Sequence, residues 1–94
     1  MLLFRPEARR DLQAIGDWIA RDDPARAVSF VAALQAKAAS LVELPVAYAV
    51  VAQSTRGPVH KVTHGRYQLY YLMLPDRVEI LNVRHSAQDM PRFD

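Results

Sequence analysis

The sequence predicts an α+β domain of order β-α-α-β-β-β, in which an N-terminal strand and an antiparallel helical hairpin pack on a small antiparallel sheet. Three observations predict it. Apolar residues recur at helical spacing through the first half of the chain, and after Pro58 the pattern changes to short β-rich runs parted by Gly and Pro. The chain has 94 residues, room for one core, so helical stripes and strands must bury their apolar faces on each other.

Residues 2–4 read as a short strand. Pro6 then takes a first-turn position, where its missing N–H does no harm, and Leu12, Ile15, Gly16 and Ile19 form one face of a helix over residues 6–21. Trp18 flanks that stripe and is expected to close the core edge. Asp22-Asp23-Pro24 is a stop and an immediate restart, with Asp23 as N-cap and Pro24 at the first helical position. The second helix carries Ala27, Phe30, Val31, Leu34, Ala38, Leu41 and Val42 and ends before Pro45, a length of about 30 Å at about 1.5 Å per residue. Residues 45–57 are apolar without period and read as a connector laid against the core.

Beyond them, residues 59–63, 66–74 and 77–84 form a three-stranded antiparallel meander with turns at His64-Gly65 and Pro75-Asp76. The middle run is apolar on both alternating faces, which makes it the central strand. Two-residue turns pair positions that sum to about 129 across the first turn and about 151 across the second. That register sets Lys61, Gln68 and Val83 abreast, then Val62, Tyr67 and Arg84, then Thr63, Arg66 and His85, so that Arg66, Arg84 and His85 crowd one end of the sheet. The predicted core is Leu12, Ile15, Ile19, Phe30, Val31, Leu34, Leu41, Leu69, Tyr71 and Ile80.

Composition bounds the function. The chain has no cysteine, which excludes disulfides, thiolate zinc sites and thiol nucleophiles and fits a reducing cytoplasm. Charge arrives at Arg5, before a signal peptide could begin, and the longest charge-free window, between Glu43 and Arg56, is interrupted by Pro45. A soluble cytoplasmic protein is expected. Residues 1–55 hold six Lys/Arg and six Asp/Glu while residues 56–94 hold six against four, so the net +2 lies in the second part and suits an acidic or nucleic-acid partner as well as a solvated face.

No metal or cofactor is expected. The available imidazoles are His60, His64 and His85, and residues four apart on a strand stand about 13 Å apart. Three isolated glycines make no phosphate loop, and none of Ser29, Ser40, Ser54 or Ser86 sits in a nucleophile turn. What remains is the terminal cluster of Lys61, Arg66, Arg84 and His85. Cleaving RNA takes a base for the 2′-hydroxyl, an acid for the leaving oxygen and cations for the phosphate, and these residues supply parts of that. The other reading has the arginines pairing with Asp89 and Asp94 to cap the sheet end.

The order and spacing of Pro6-Glu7-Ala8, Asp11-Leu12-x-x-Ile15-x-x-Trp18-Ile19, Leu44-Pro45, Gly65-Arg66-Tyr67-x-Leu69-x-Tyr71 and Val78-Glu79-Ile80-Leu81-x-Val83-x-His85-x-x-x-Asp89 resemble the RelE/ParE toxin superfamily of bacterial type II toxin–antitoxin pairs, over nearly the whole chain. The resemblance implies a helical hairpin on a small sheet to which the N-terminal strand is added. It also implies one of two activities: cleavage of messenger RNA on the ribosome, or inhibition of DNA gyrase without nuclease chemistry.

The RNA-cleaving branch carries an arginine three residues before the tyrosine matched by Tyr71, where this chain has Gln68; it also tends to have paired lysines, where only Lys61 stands here. A neutral amide does not supply the charge a phosphate needs. The ending His85-x-x-x-Asp89-Met90-Pro91 is more similar to the ParE branch. The expected function is therefore a non-enzymatic gyrase inhibitor with no catalytic residue, neutralised by a cognate ParD-like ribbon-helix-helix antitoxin in a hetero-oligomeric complex. The alternative is a ribosome-dependent endoribonuclease using Lys61, Arg66, Arg84 and His85. The antitoxin is expected to wrap the chain and to find backbone groups at an edge strand. Arg84, His85, Arg92 and Phe93 are the expected target contacts, because arginine and aromatic side chains anchor interfaces and Phe93 lies in a tail that needs a partner or the hairpin to cover it.

Overall fold

The structure, a computed structural model, describes residues 1–44 and 47–94. Strand β1 (Leu2–Phe4) leads into helix α1 (Pro6–Ala20) and helix α2 (Pro24–Ser40), followed by strands β2 (Val50–Ser54), β3 (Gly57–His64), β4 (Tyr67–Leu74) and β5 (Arg77–His85). The α+β class and the order of elements are those the sequence predicts, with one strand more. Residues 50–54, expected to be connector, form an antiparallel edge strand on β3. Its pattern is aperiodic because Val51 is an extra residue between the pairs Val50↔His60 and Ala52↔Val59, and such a bulge breaks the alternation by which a strand is recognised. The sheet order is β1-β5-β4-β3-β2, with β1 parallel to β5 and the rest antiparallel. Pro45 and Val46, within the expected connector and the Leu44-Pro45 helix ending, lie outside the described residues.

The helices start as the sequence demands. Pro6 occupies the first turn of α1, and the Asp23 carboxylate accepts from the Arg26 N–H at 3.0 Å to cap α2. Helix α2 is shorter than expected, about 26 Å. After Ser40 the chain continues with i→i−3 bonds, Leu41 N–H to Ala38 and Val42 N–H to Ala39, which tighten the end while keeping Leu41 fully buried. Gly16 lets the helices close on each other: a β-carbon there would stand 3.3 Å from Val31 Cγ2.

Helices cover one face of the sheet. Ala8, Leu12, Ile15, Leu34, Ala38 and Leu41 pack on Val62, Leu69, Tyr71, Val78, Ile80 and Val83, with Ile19, Phe30 and Val31 partly buried around them, so the predicted core is found. A second, smaller cluster of Val59, Tyr70 and Leu72 lies on the opposite, outer face. Trp18 departs from expectation. It is 66% exposed, outside the core, with the Arg21 guanidinium 5.1 Å above its ring. No helix among the described residues is long and apolar enough to cross a membrane.

The register differs from the simple sum rule in two places, and both bear on the site. The β3–β4 turn is Gly65-Arg66 rather than His64-Gly65, with Gly65 at φ 60°, so the partners are Val62↔Leu69, Thr63↔Gln68 and His64↔Tyr67. Arg66 is therefore an exposed turn residue and pairs with nothing in the sheet. Between β4 and β5 the expected pairing holds from Leu74↔Arg77 to Tyr71↔Ile80. Leu81 is then an extra residue, and the pairs become Tyr70↔Asn82, Leu69↔Val83, Gln68↔Arg84 and Tyr67↔His85.

Candidate functional site

At the end of the sheet the bulge decides which way each side chain faces. Ile80 and Val83 both join the core against the helices, although a regular strand would send residues three apart to opposite faces. His85 follows Val83 onto the helix side, where its ring stands edge-on to Tyr67 at 5.2 Å. Arg84 goes to the outer face, beside Gln68 and Tyr70. The sequence-stated cluster is thus divided. Lys61, paired with Tyr70, and Arg84 stand on the outer face, His85 stands on the helix face, and Arg66 lies in the turn between strands.

The turn after β5 is bonded back onto His85 and the neighbouring turn. Its backbone N–H donates to Gln88 Oε1 at 2.8 Å, the Ser86 N–H donates to the Arg66 carbonyl at 2.7 Å, and the Ala87 N–H donates to His85 Nδ1 at 3.0 Å. Nδ1 is therefore the acceptor of that bond. Between α1 and this turn lies an open groove of about 650 Å³ lined by Asp11, Trp18, Tyr67, Arg84, His85 and Gln88, among others. The exposed indole, the Tyr67 phenol and the imidazole give it the aromatic groups that protein interfaces favour.

On the outer face the Tyr70 hydroxyl donates to Gln68 Oε1 at 3.0 Å, and burial pushes the phenol up, with the Arg84 charge opposing. The Gln68 amide thus occupies itself with a tyrosine. Arg84 Nε is buried with no hydrogen-bond partner among the described residues. Neither Arg66 nor Arg84 pairs with Asp89 or Asp94, since the ion pairs among the described residues are Arg56–Glu79, Arg77–Asp76 and Arg77–Glu79; the reading of a sheet end capped by those carboxylates is corrected. Tyr71, fully buried, has its hydroxyl pushed up to about 12 by burial and so stays neutral near pH 7.

The C-terminal tail returns across this outer face. Phe93 packs 5.5 Å from the Tyr70 ring within the second apolar cluster, so the sheet and not the helical hairpin covers it. Arg92 beside it is exposed. One feature escaped the sequence: Glu79 is 1% exposed and receives Arg56 on both oxygens at 2.9 and 2.7 Å, with Arg77 Nε at 2.8 Å. The Arg56 hydrogen bonds, opposed by burial and helped by Arg77, hold its carboxyl below the usual range, and the same bond raises Arg56. A lone Glu inside an apolar run, two residues after an Arg, was the available signal; Arg56 lies 23 residues away and carried none. Among the described residues no three His, Asp or Glu converge to hold a metal; His60 instead stacks on Tyr71 at 5.2 Å and its Nδ1 lies 3.0 Å from the Tyr48 carbonyl.

The family model described as the ParE toxin of type II toxin–antitoxin systems, parDE, matches residues 2–90. Among solved structures, the chain is similar to one from the chromosomal ParDE toxin–antitoxin system of P. aeruginosa, with a TM-score of 0.74 and 17% identity over 89% of this chain and 92% of that one. It is also similar to a chain of the RelBE2 toxin–antitoxin complex of Mycobacterium tuberculosis, with a TM-score of 0.65 and 25% identity over 90% of this chain and 95% of that one. No curated protein matches the sequence.

Proposed function

The chain belongs to the ParE toxin family of type II toxin–antitoxin systems, and from that premise we propose that it arrests growth by inhibiting DNA gyrase, without catalysis, and is neutralised by a cognate ParD-like ribbon-helix-helix antitoxin. The observation that carries the choice of target is the division of the candidate nuclease residues. An RNA-cleaving centre needs its base, acid and phosphate-holding cations around one scissile bond. Here Lys61 and Arg84 are on one face, the place between them in the sheet is taken by Gln68 and Tyr70, and His85 is on the other face with Nδ1 occupied by a backbone N–H.

The two faces of the sheet end suit a binding role. Arg84 and the exposed Arg92 present cations on the outer face and along the returning tail, while His85 and Trp18 line the groove on the helix side. The antitoxin reading is supported by the place of β2, which among the described residues is the terminal strand of the sheet, an edge of the kind to which a partner strand adds. Purified chain added to a supercoiling assay should inhibit gyrase in the absence of ribosomes, and antitoxin should reverse it. Codon-specific cleavage in a ribosome-programmed assay, abolished by Arg84→Ala or His85→Ala, would replace this reading with that of an endoribonuclease.

A further inference from the structure

Strand β1 covers the outer edge of β5 only along Leu2↔Val78, Leu3↔Glu79 and Phe4↔Ile80, with one more bond from the Arg5 N–H to the Ile80 carbonyl. Beyond Ile80 the chain of β1 has already turned into α1, so among the described residues the remaining edge of β5 has no strand partner. A backbone N–H left there in a half-buried place costs the free energy of an unmade hydrogen bond. The residue that takes it is Asp11. Its Oδ2 accepts the Val83 N–H at 2.8 Å and the Asn82 side-chain amide at 3.3 Å. The two residues it holds are those immediately after the extra residue, Leu81, where the register changes.

We propose that Asp11 is the positioning residue of the target-contacting surface: by holding Asn82 and Val83 from α1 it keeps the end of β5 in the bulged register that places Arg84 on the outer face and His85 against Tyr67. Burial of Val83 favours the same register, and Asp11 supplies the fixed partner for the backbone group that the bulge turns toward α1. Without it the end of β5 exchanges between the bulged and the regular pairing, and the regular pairing sends Arg84 and His85 to the opposite faces. The proposal rests on the reading of Arg84 and His85 as target contacts for its consequence, while its structural content stands apart from the target.

The test uses the full chain, isotope-labelled, as wild type, Asp11→Ala and Asp11→Asn. In Asp11→Ala the Val83 amide should exchange about tenfold faster or more, as expected for the loss of one partly buried charge-assisted bond, while Ile80 and Leu69 amides stay protected. The His85–Tyr67 ring contact should weaken, residues 82–85 should show exchange broadening, and gyrase inhibition should fall about tenfold with antitoxin affinity within about twofold of wild type. Asp11→Asn keeps an acceptor oxygen for Val83 and should restore most of each signal. Unchanged Val83 protection and an intact His85–Tyr67 contact in Asp11→Ala would overturn the proposal, as would loss of protection at Ile80 and Leu69 together with Val83, which marks a general stabilising role. If the wild type leaves gyrase untouched, the gyrase reading falls, and the amide and ring measurements still decide the role of Asp11.

Discussion

Glu79 shows how a single side chain ties distant parts of the sheet together. Its buried carboxylate joins Arg56, in the β2–β3 turn, to Arg77 at the start of β5, and removing it leaves Arg56 without that partner and Arg77 with Asp76 alone. Glu79→Gln should cost about 2 kcal/mol, measured by urea unfolding at pH 7, because a hydrogen bond to a charged group contributes about 1.5–3 kcal/mol. The pH dependence follows from the direction of the shift. The folded carboxyl lies below its unfolded value of about 4.3, so its contribution is complete above that pH and is lost as pH falls through the lowered folded value. The gap in unfolding midpoint between wild type and Glu79→Gln should therefore be constant from pH 7 to about 5 and shrink below about 4. A gap that persists undiminished at pH 2 would mean that packing, not charge, carries the effect.

The elements were legible where local chemistry dictates them. Asp23-Pro24 specifies its own helix start, since the carboxylate cap and the proline ring act within one turn. Asp23→Ala should lower stability by about 1 kcal/mol with little change in fold, read by thermal melting. The hairpin is tighter in its requirement. At Gly16 a β-carbon would stand 3.3 Å from Val31 Cγ2, a tight contact that leaves little room for a longer side chain, and Gly16→Leu should push α2 away from α1 at a cost of about 2 kcal/mol, visible as a lower melting temperature and weakened α1–α2 contacts in a labelled sample. Strand β2 and both register changes were not legible. A bulge adds one residue that belongs to neither face, so alternation fails locally, and the turn that starts at Gly65 instead of ending there moves every β3 partner by two positions while leaving each side chain on its face.

For the molecule as a whole, the tail is folded back on the outer face of the sheet. Phe93 was expected to be covered by a partner or by the hairpin; because it instead packs on the outer-face cluster of Val59, Tyr70 and Leu72, Phe93→Ala should lower both stability, by about 1 kcal/mol for a half-buried ring, and any gyrase inhibition. Arg92→Ala, at an exposed position, separates the two effects. It should reduce inhibition of supercoiling with melting unchanged, and undiminished inhibition would remove the tail from the contact surface. Binding of the antitoxin to the folded chain alone should raise apparent stability by mass action, about 2.7 kcal/mol at a free antitoxin concentration of about a hundred times Kd. A melting temperature independent of antitoxin concentration would argue against a partner that recognises the native sheet and hairpin.

By itself the sequence determined the class of fold, the two helices, most of the core and the family pattern, because periodicity, caps and turn residues act over a few positions and survive any packing arrangement. It also marked Gln68 as a departure from a nuclease pattern. Only the tertiary structure decided which residues share a face at the end of the sheet. That choice turns on one extra residue, Leu81, and on an acceptor contributed by Asp11 some 70 positions away, 71 to Asn82 and 72 to Val83. The Glu79 pairing and the seat of Phe93 are of the same kind. Each is a contact between residues far apart in the chain, whose partner is named by packing and leaves no mark in local spacing.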